Sequence, residues 1–174
     1  MYDSILLSKS TQDKKALTIA SQLETAIWQG DTASANGNLN KFDGLIKLIG
    51  AASGVVDANV SGFVSGGPVA SITASNVIAL LDGVYKAIPA KVVAADDMTI
   101  FVGQDTFRTY TIALKNANMF NYAFDGKADS EFVLPGTPIK VVAVQGLNGT
   151  NDIFDFKIKQ LILRYRLIKR RREV

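Results

Sequence analysis

The first part of the chain carries a long helical pattern that ends at a glycine. Apolar residues recur three and four positions apart, the spacing of one face of an α-helix; they are Ala16, Ile19, Ala20, Leu23, Ala26 and Ile27. Ser10 is typical of a helix start, and Gly30 stands where a helix end is expected. The pattern therefore predicts a helix over residues 11–29, with Leu23 and Ile27 buried against the rest of the protein.

The rest of the chain alternates between helical and strand patterns. The predicted elements are, in order, a polar loop over 31–38, a short helix around 42–49, a glycine-rich segment over 51–72 with room for a hairpin, a helix over 74–88 capped by Thr73, a strand over 98–102, a helix around 107–114, a strand over 139–144, a hairpin turn at Asn148-Gly149 and a return strand from residue 153. This order predicts a mixed fold of helices and strands without a regular parallel repeat.

Charge is distributed unevenly along the chain. Eight of the 19 basic residues follow residue 156, together with only one of the 16 acidic residues. Residues 1–156 are therefore mildly acidic, and the last 18 residues form a strongly basic tail. No apolar run is long enough to span a membrane, and the N-terminus does not resemble a signal peptide, so a cytoplasmic protein is expected.

The composition removes most catalytic chemistry. The chain has no histidine and no cysteine, which excludes thiol catalysis, Ser-His-Asp triads and the usual zinc sites. Gly62, Gly66 and Gly67 do not open a helix as a dinucleotide-binding loop does. Asp96-Asp97 are interpreted as solvated turn charges, and Trp28 as a core or subunit contact. We therefore predict no catalytic, cofactor-binding or metal-binding residue, and no enzyme.

Several stretches resemble, in the same order, recurring parts of the major capsid proteins of tailed phages. The first is LETAIWQGD, which begins at Leu23, followed by Asn36-Gly37 and by FDGL at 42–45. In that family a long helix ends in a Leu-Glu-x-x-hydrophobic-x-x-Gly-Asp pattern, and a loop rich in glycine and asparagine leads to a Gly-Leu pair. The segment WQGD is similar to capsid proteins of phages that infect gut Bacteroides-type bacteria.

Later stretches extend the resemblance over roughly residues 2–155. MTIFV at 98–102 is similar to the family's strand before a helix, here with Phe107, Arg108 and Tyr110, and PIKVV at 138–142 to the strand before its late hairpin. The resemblance implies the Hong Kong 97-type fold, an α+β fold with a spine helix and an axial domain that has a central mixed sheet and flanking helices.

The resemblance also implies domains, location and partners. Residues 1–35 would be the spine helix and loop of the peripheral domain, 36–156 the axial domain, and 157–174 a basic tail. The subunit would assemble into pentamers and hexamers that enclose DNA, with segments 51–72 and 145–151 near the capsomer axis. Its partners would be neighbouring copies, scaffold or other virion proteins, and packaged DNA bound non-specifically. The expected location is a phage or prophage virion and, during assembly, the host cytoplasm, with no cofactor and no membrane.

The tail departs from the family pattern. Family members place Asn-Leu-aromatic-aromatic-Gly-Thr-Asp after the late hairpin, whereas this chain continues from Phe156 with FKIKQLILRYRLIKRRREV. A one-base shift of the reading frame near Asp155 could encode the missing pattern. Together with the missing arm and extended loop of full-length members, this predicts a fragment that assembles weakly or irregularly.

Two other functions remain open. The Lys/Arg run with Tyr165 interleaved is also found in proteins that neutralise phosphates, so the chain could be a basic-tailed nucleic-acid-binding protein. An encapsulin-like cellular compartment protein would share the same fold and the same sequence patterns.

Overall fold

The structure combines helices with one small β-sheet. The computed structural model describes residues 2–93, 98–118 and 131–157. The helices are α1 Tyr2–Gln29, α2 Leu45–Gly50, α3 Val77–Ala87, α4 Ala90–Val93 and α5 Gln104–Asn116. The strands are β1 Met98–Gly103, β2 Glu131–Val133, β3 Lys140–Val144 and β4 Phe154–Lys157, and a 3-10 turn covers Gln145–Leu147. The predicted mixed α+β class is confirmed.

The chain forms two compact units. The first, here called the helical unit, contains the residues up to Val55 together with the 3-10 turn at 145–147. The second, the sheet unit, contains residues 56–144 and those from Asn148 onward. The division at residues 35 and 156 follows the resemblance to the capsid family and stays a prediction. Segments 94–97 and 158–174, where the acidic pair and most of the basic tail were predicted, lie outside the described residues.

Helix α1 is longer than its sequence pattern predicted. It begins at Tyr2, so the predicted start at Ser10 is wrong. Serine favours a helix start without breaking a helix, and residues 2–29 contain neither glycine nor proline. The end agrees with the prediction, because the helix stops at Gln29 and the Gly30 amide donates to the Ala26 carbonyl at 2.9 Å.

The predicted buried face of α1 is wrong. Of the six residues of that face only Ala26 is buried, at 6% exposure; Leu23 is 52% and Ile27 43% exposed. Trp28, outside the predicted face, is only 7% exposed. The 3-10 turn of the helical unit contacts α1 on the side of Glu24 and Trp28, and the apolar stripe faces away from it. Apolar spacing identifies a face of a helix but does not say which element covers that face.

The sheet has the strand order β2-β3-β1-β4. β1 and β3 are parallel, with α5 between them in the chain, and β4 is antiparallel to β1. The predicted hairpin at Asn148-Gly149 is therefore wrong, since β1 separates the two strands that the turn was expected to pair. Gly149 does form a turn with a φ of +74°. That turn is fixed to α5 instead, because the Asn148 side chain accepts from the Gln104 amide at 2.7 Å and Asp105 accepts from the Gly149 amide at 2.9 Å.

The core of the sheet unit lies between the sheet and helices α3 and α5. Strands and helices supply fully buried side chains to it, among them Leu81, Ile100, Leu114 and Val141. The predicted face of the third helix is confirmed, although α3 begins at Val77 and Asn76, not Thr73, precedes it. As in an ordinary globular domain, strands rich in β-branched residues pack here against the apolar faces of amphipathic helices.

The glycine-rich segment 51–72 is a closed surface loop. All of its residues are described, and they form turns and bends and no strand, so the hairpin considered there is absent. The Asn59 amide holds the loop by donating to the Val69 carbonyl at 2.8 Å and accepting from the Val69 amide at 2.9 Å. Val64 is buried at 2% exposure beside Gly83, where a side chain would press on Val64. The loop is thus attached at its base and at its tip.

Candidate assembly site

The stretch that carries the resemblance builds a hydrogen-bonded junction at the end of α1. The Glu24 carboxylate accepts from the backbone amides of Gln145 and Gly146, at 2.8 and 3.2 Å. One turn away, the Gln145 side chain donates to the Ser21 hydroxyl at 2.8 Å, and the Gln29 side chain donates to the Gly146 carbonyl at 2.7 Å. These bonds satisfy the amides of the 3-10 turn, which the turn itself leaves without partners.

Trp28 and Gly146 are in direct contact at this junction. A Cβ atom built on Gly146 would lie 2.7 Å from the Glu24 carbonyl oxygen and would collide with the Trp28 ring. Only glycine therefore allows the turn to approach the helix this closely. The prediction that Trp28 is a packing residue is consistent with this contact inside the helical unit.

Gly30 and Gly44 bring two backbone segments together just after the junction. The Gly44 amide donates to the Gly30 carbonyl at 2.7 Å. A Cβ atom on Gly30 would lie 2.5 Å from the Phe42 carbonyl oxygen, and one on Gly44 would lie 2.6 Å from the Trp28 carbonyl oxygen. The glycines of the Gly-Asp and Gly-Leu patterns are thus explained by close backbone contact and not by an unusual backbone angle.

A charged cluster closes the loop between α1 and α2. The Lys47 ammonium lies 2.6 Å from Asp31 and 2.8 Å from Asp43, and the Thr32 amide and hydroxyl donate to the same Asp43 oxygen. The hydrogen bond from Lys47 is the largest cause that lowers the pKa of Asp43 to about 2, and it also lowers the pKa of Asp31. Because these groups are solvent-exposed, the cluster orders the loop more than it stabilises the fold.

The helical unit leaves an apolar stripe of α1 uncovered. The stripe consists of Ala16, Ile19, Ala20, Leu23 and Ile27, all of them exposed. Leu17, off the stripe, is 71% exposed. In α2, Leu48 is 53% exposed and every residue remains at least partly accessible. Exposed apolar residues that adjoin one another in this way often mark a protein interaction site.

Other features offer little for chemistry. The described residues contain no group of three or more His, Cys, Asp or Glu side chains that could hold a metal ion. The best-defined cavity measures about 40 Å³ and is lined in part by Asp82 and Tyr110, whereas sites for small molecules usually exceed roughly 300 Å³. Burial raises the pKa of Tyr110. Among the described residues, no helix is both long enough and apolar enough to cross a membrane.

One acidic side chain lies at the edge of the sheet. Asp155 in β4 pairs with Ile100 of β1, which is fully buried. Its Oδ1 atom has no hydrogen-bond partner among the described residues. Burial raises the pKa of Asp155 to about 6, because the charged form loses water that nothing replaces.

Sequence reasoning found part of this site. It identified the stretch from Leu23 to Asp31 and the two glycines, but it assigned no contacts to Glu24, Asp43 or Lys47. The partners of Glu24 are more than a hundred residues away in the chain, and no local pattern reveals them. Comparison with models of protein families, with curated proteins and with solved structures finds no match for this chain.

Proposed function

We propose that this chain is a structural subunit of a phage or prophage capsid, which assembles with copies of itself into rings and shells. The observation that carries the proposal is the junction at the end of α1. There the residues that resemble the capsid family contact one another and a distant turn: Glu24 and Trp28 hold residues 145–147, and Gly30 meets Gly44. Residues of a motif that contact one another and the same turn support the resemblance more strongly than the same residues scattered over a surface.

The shape of α1 also supports a structural role. The helix has 28 residues, about 42 Å at 1.5 Å per residue, and every side chain in its middle part, from Thr11 to Ala20, is exposed. Long helices in water draw most of their stability from tertiary packing of one face. A helix whose apolar stripe is left exposed by the described residues fits a protein that completes its packing in an assembly.

The order of elements agrees with the same proposal. After the long helix come a loop with the Gly-Asp and Gly-Leu patterns, helices α2 to α4, β1 followed directly by α5, and β2 and β3 followed by a turn. The family arranges its spine helix and axial domain in this sequence. The specific Hong Kong 97-type fold, the virion location and the capsomer contacts are parts of the proposal.

Mass spectrometry of purified particles tests the proposal. Cells that carry the gene are induced for phage production, and nuclease-resistant particles are separated on a density gradient. Trypsin should release a peptide of residues 16–41, because it cuts after Lys15 and after Lys41 and no other Lys or Arg lies between them. We expect this peptide to be enriched in DNA-containing particles over the soluble fraction, with a ribosomal protein as the control for contamination. Its absence from particles while it is abundant in the soluble fraction would refute the shell function.

A second function, nucleic-acid binding, is supported by the charge break at residue 157. If the basic tail holds nucleic acid through several phosphates, deleting residues 157–174 should abolish binding, and affinity should fall steeply with salt. If the tail is an accident of reading frame, the body should fold without it, and any DNA binding should be non-specific. The nucleotide sequence around codon 155 decides the frame directly, because a shifted frame must encode the Gly-Thr-Asp pattern.

A further inference from the structure

We infer that the exposed apolar stripe of α1 binds the same stripe of a second copy of this chain, with the two helices antiparallel. The stripe is the set Ala16, Ile19, Ala20, Leu23 and Ile27 defined above. It extends from residue 16 to residue 27, about three turns of helix. The inference is linked to the proposed function in one respect: both require copies of this chain to bind one another.

The order of small and large side chains along the stripe fits an antiparallel pair. A two-fold axis between residues 21 and 22 places Ala20 of one copy against Leu23 of the other, and Ala16 against Ile27. Small residues then face large ones at these two levels, and each contact occurs twice, as a two-fold axis requires. Ile19 lies level with Glu24 of the other copy, whose carboxylate is held by its own turn. In a parallel pair, Leu23 would instead face Leu23 of the other copy. Ala16 would face Ala16 and Ala20 would face Ala20, which would leave a gap at each alanine.

Charge favours the same orientation. The last turn of α1, residues 26–29, contains no basic residue, although the C-terminal end of a helix carries partial negative charge. In the antiparallel pair, Lys15 of the second copy lies level with Trp28, beside that last turn. Lys15 stands on the flank of the stripe, so its ammonium can reach the helix end without entering the apolar contact.

The area of the stripe defines how strong the contact can be. Its five side chains offer of the order of 500 Å² on each copy, so the pair would cover about 1,000 Å², the lower limit for a specific interface. Leu23 at 52% exposure and Ile19 at 65% would provide much of it. We therefore expect a weak, reversible dimer and not an obligate one.

Two variants with the same substitution test the contact. Leu23→Lys places a charge in the stripe, whereas Leu17→Lys places it about 120° from Leu23 around the same helix, at a site that is 71% exposed. Sedimentation velocity over a concentration series should show a wild-type dimer that Leu23→Lys weakens at least about tenfold and Leu17→Lys leaves unchanged. At concentrations where the wild type is monomeric, both variants should unfold at the wild-type urea midpoint, because neither side chain is buried within its own chain.

Engineered cysteines test the orientation, since the chain has none of its own. A mixture of the Ala20→Cys and Leu23→Cys variants should form disulfide-linked heterodimers faster than either variant alone. Faster linkage of Ala20→Cys with itself would overturn the antiparallel arrangement.

Three results would overturn the pairing itself. The first is a chain that stays monomeric up to about 1 mM. The second is a dimer that Leu23→Lys does not weaken. The third is a chain that dimerises only after residues 158–174 are removed, because that segment would then cover the stripe in the full chain. Dimers without the particle enrichment described above would refute the shell function and leave the pairing in place.

Discussion

Replacing Gly146 with alanine tests the junction on which the proposed function depends. A Cβ atom at this position would collide with Cδ1 of the Trp28 ring and would lie 2.7 Å from the Glu24 carbonyl oxygen, closer than such atoms approach in proteins. The turn would have to move away from α1. Overpacking of this kind costs about 1–3 kcal/mol, and the displaced turn would also strain the two hydrogen bonds to Glu24.

Trp28 is the only tryptophan of the chain, so its fluorescence reports on the helical unit alone. A unit of this size has a urea m-value of roughly 1 kcal/mol/M, and the expected cost therefore lowers the midpoint by roughly 1–3 M. We also expect the native emission maximum to shift to longer wavelength as the ring gains water. Gly37→Ala is the matched control, because a Cβ atom on Gly37 would meet open space, so the substitution should leave both observables unchanged. An unchanged midpoint and emission in Gly146→Ala would refute the contact between the turn and Trp28.

Other substitutions probe the helix face and the charged groups. Leu23→Ala should change the unfolding free energy by less than about 0.5 kcal/mol in urea titration, because the side chain is exposed, and a loss of about 2–5 kcal/mol would restore the face predicted from sequence. Lys47→Met should raise the pKa of Asp43 from about 2 toward 3.8, measured by NMR titration of its carboxyl carbon, and an unmoved pKa would exclude the ion pair. Asp155 has a folded pKa raised from 3.8 to about 6, so stability should fall as pH rises through this interval. Urea midpoints of Asp155→Asn should lack this decrease, and a wild type without it would contradict burial of the carboxylate.

Local chemistry accounts for the elements that the sequence predicted well. The end of α1 at Gly30, the strand over 98–102 and the helix after Gly103 were correct, because glycine and β-branched runs act within a few residues. The predicted start of α1 at Ser10 was wrong, because a serine permits a helix to begin but does not require it to begin there. The apolar face of α3 was correct because the sheet unit supplies a cover for it.

Long-range pairing accounts for what was missed. The Asn148-Gly149 pair predicted a hairpin, and the turn formed as expected from its sequence. Its flanking strands nevertheless pair with β1 and not with each other, because β1 already occupies the position between them. Neither this order nor the partners of Glu24 can be read from neighbouring residues.

The sequence by itself determined the mixed α+β class, the main helices and strands, and the residues that resemble the capsid family, since these depend on side-chain periodicity and turn chemistry. Only the tertiary structure decided which side of α1 is covered. Glu24 and Trp28 bind the turn at 145–147, and the stripe with Leu23 remains in water. The physical reason is that burial is a property of two surfaces, and the second surface comes from a distant part of the chain.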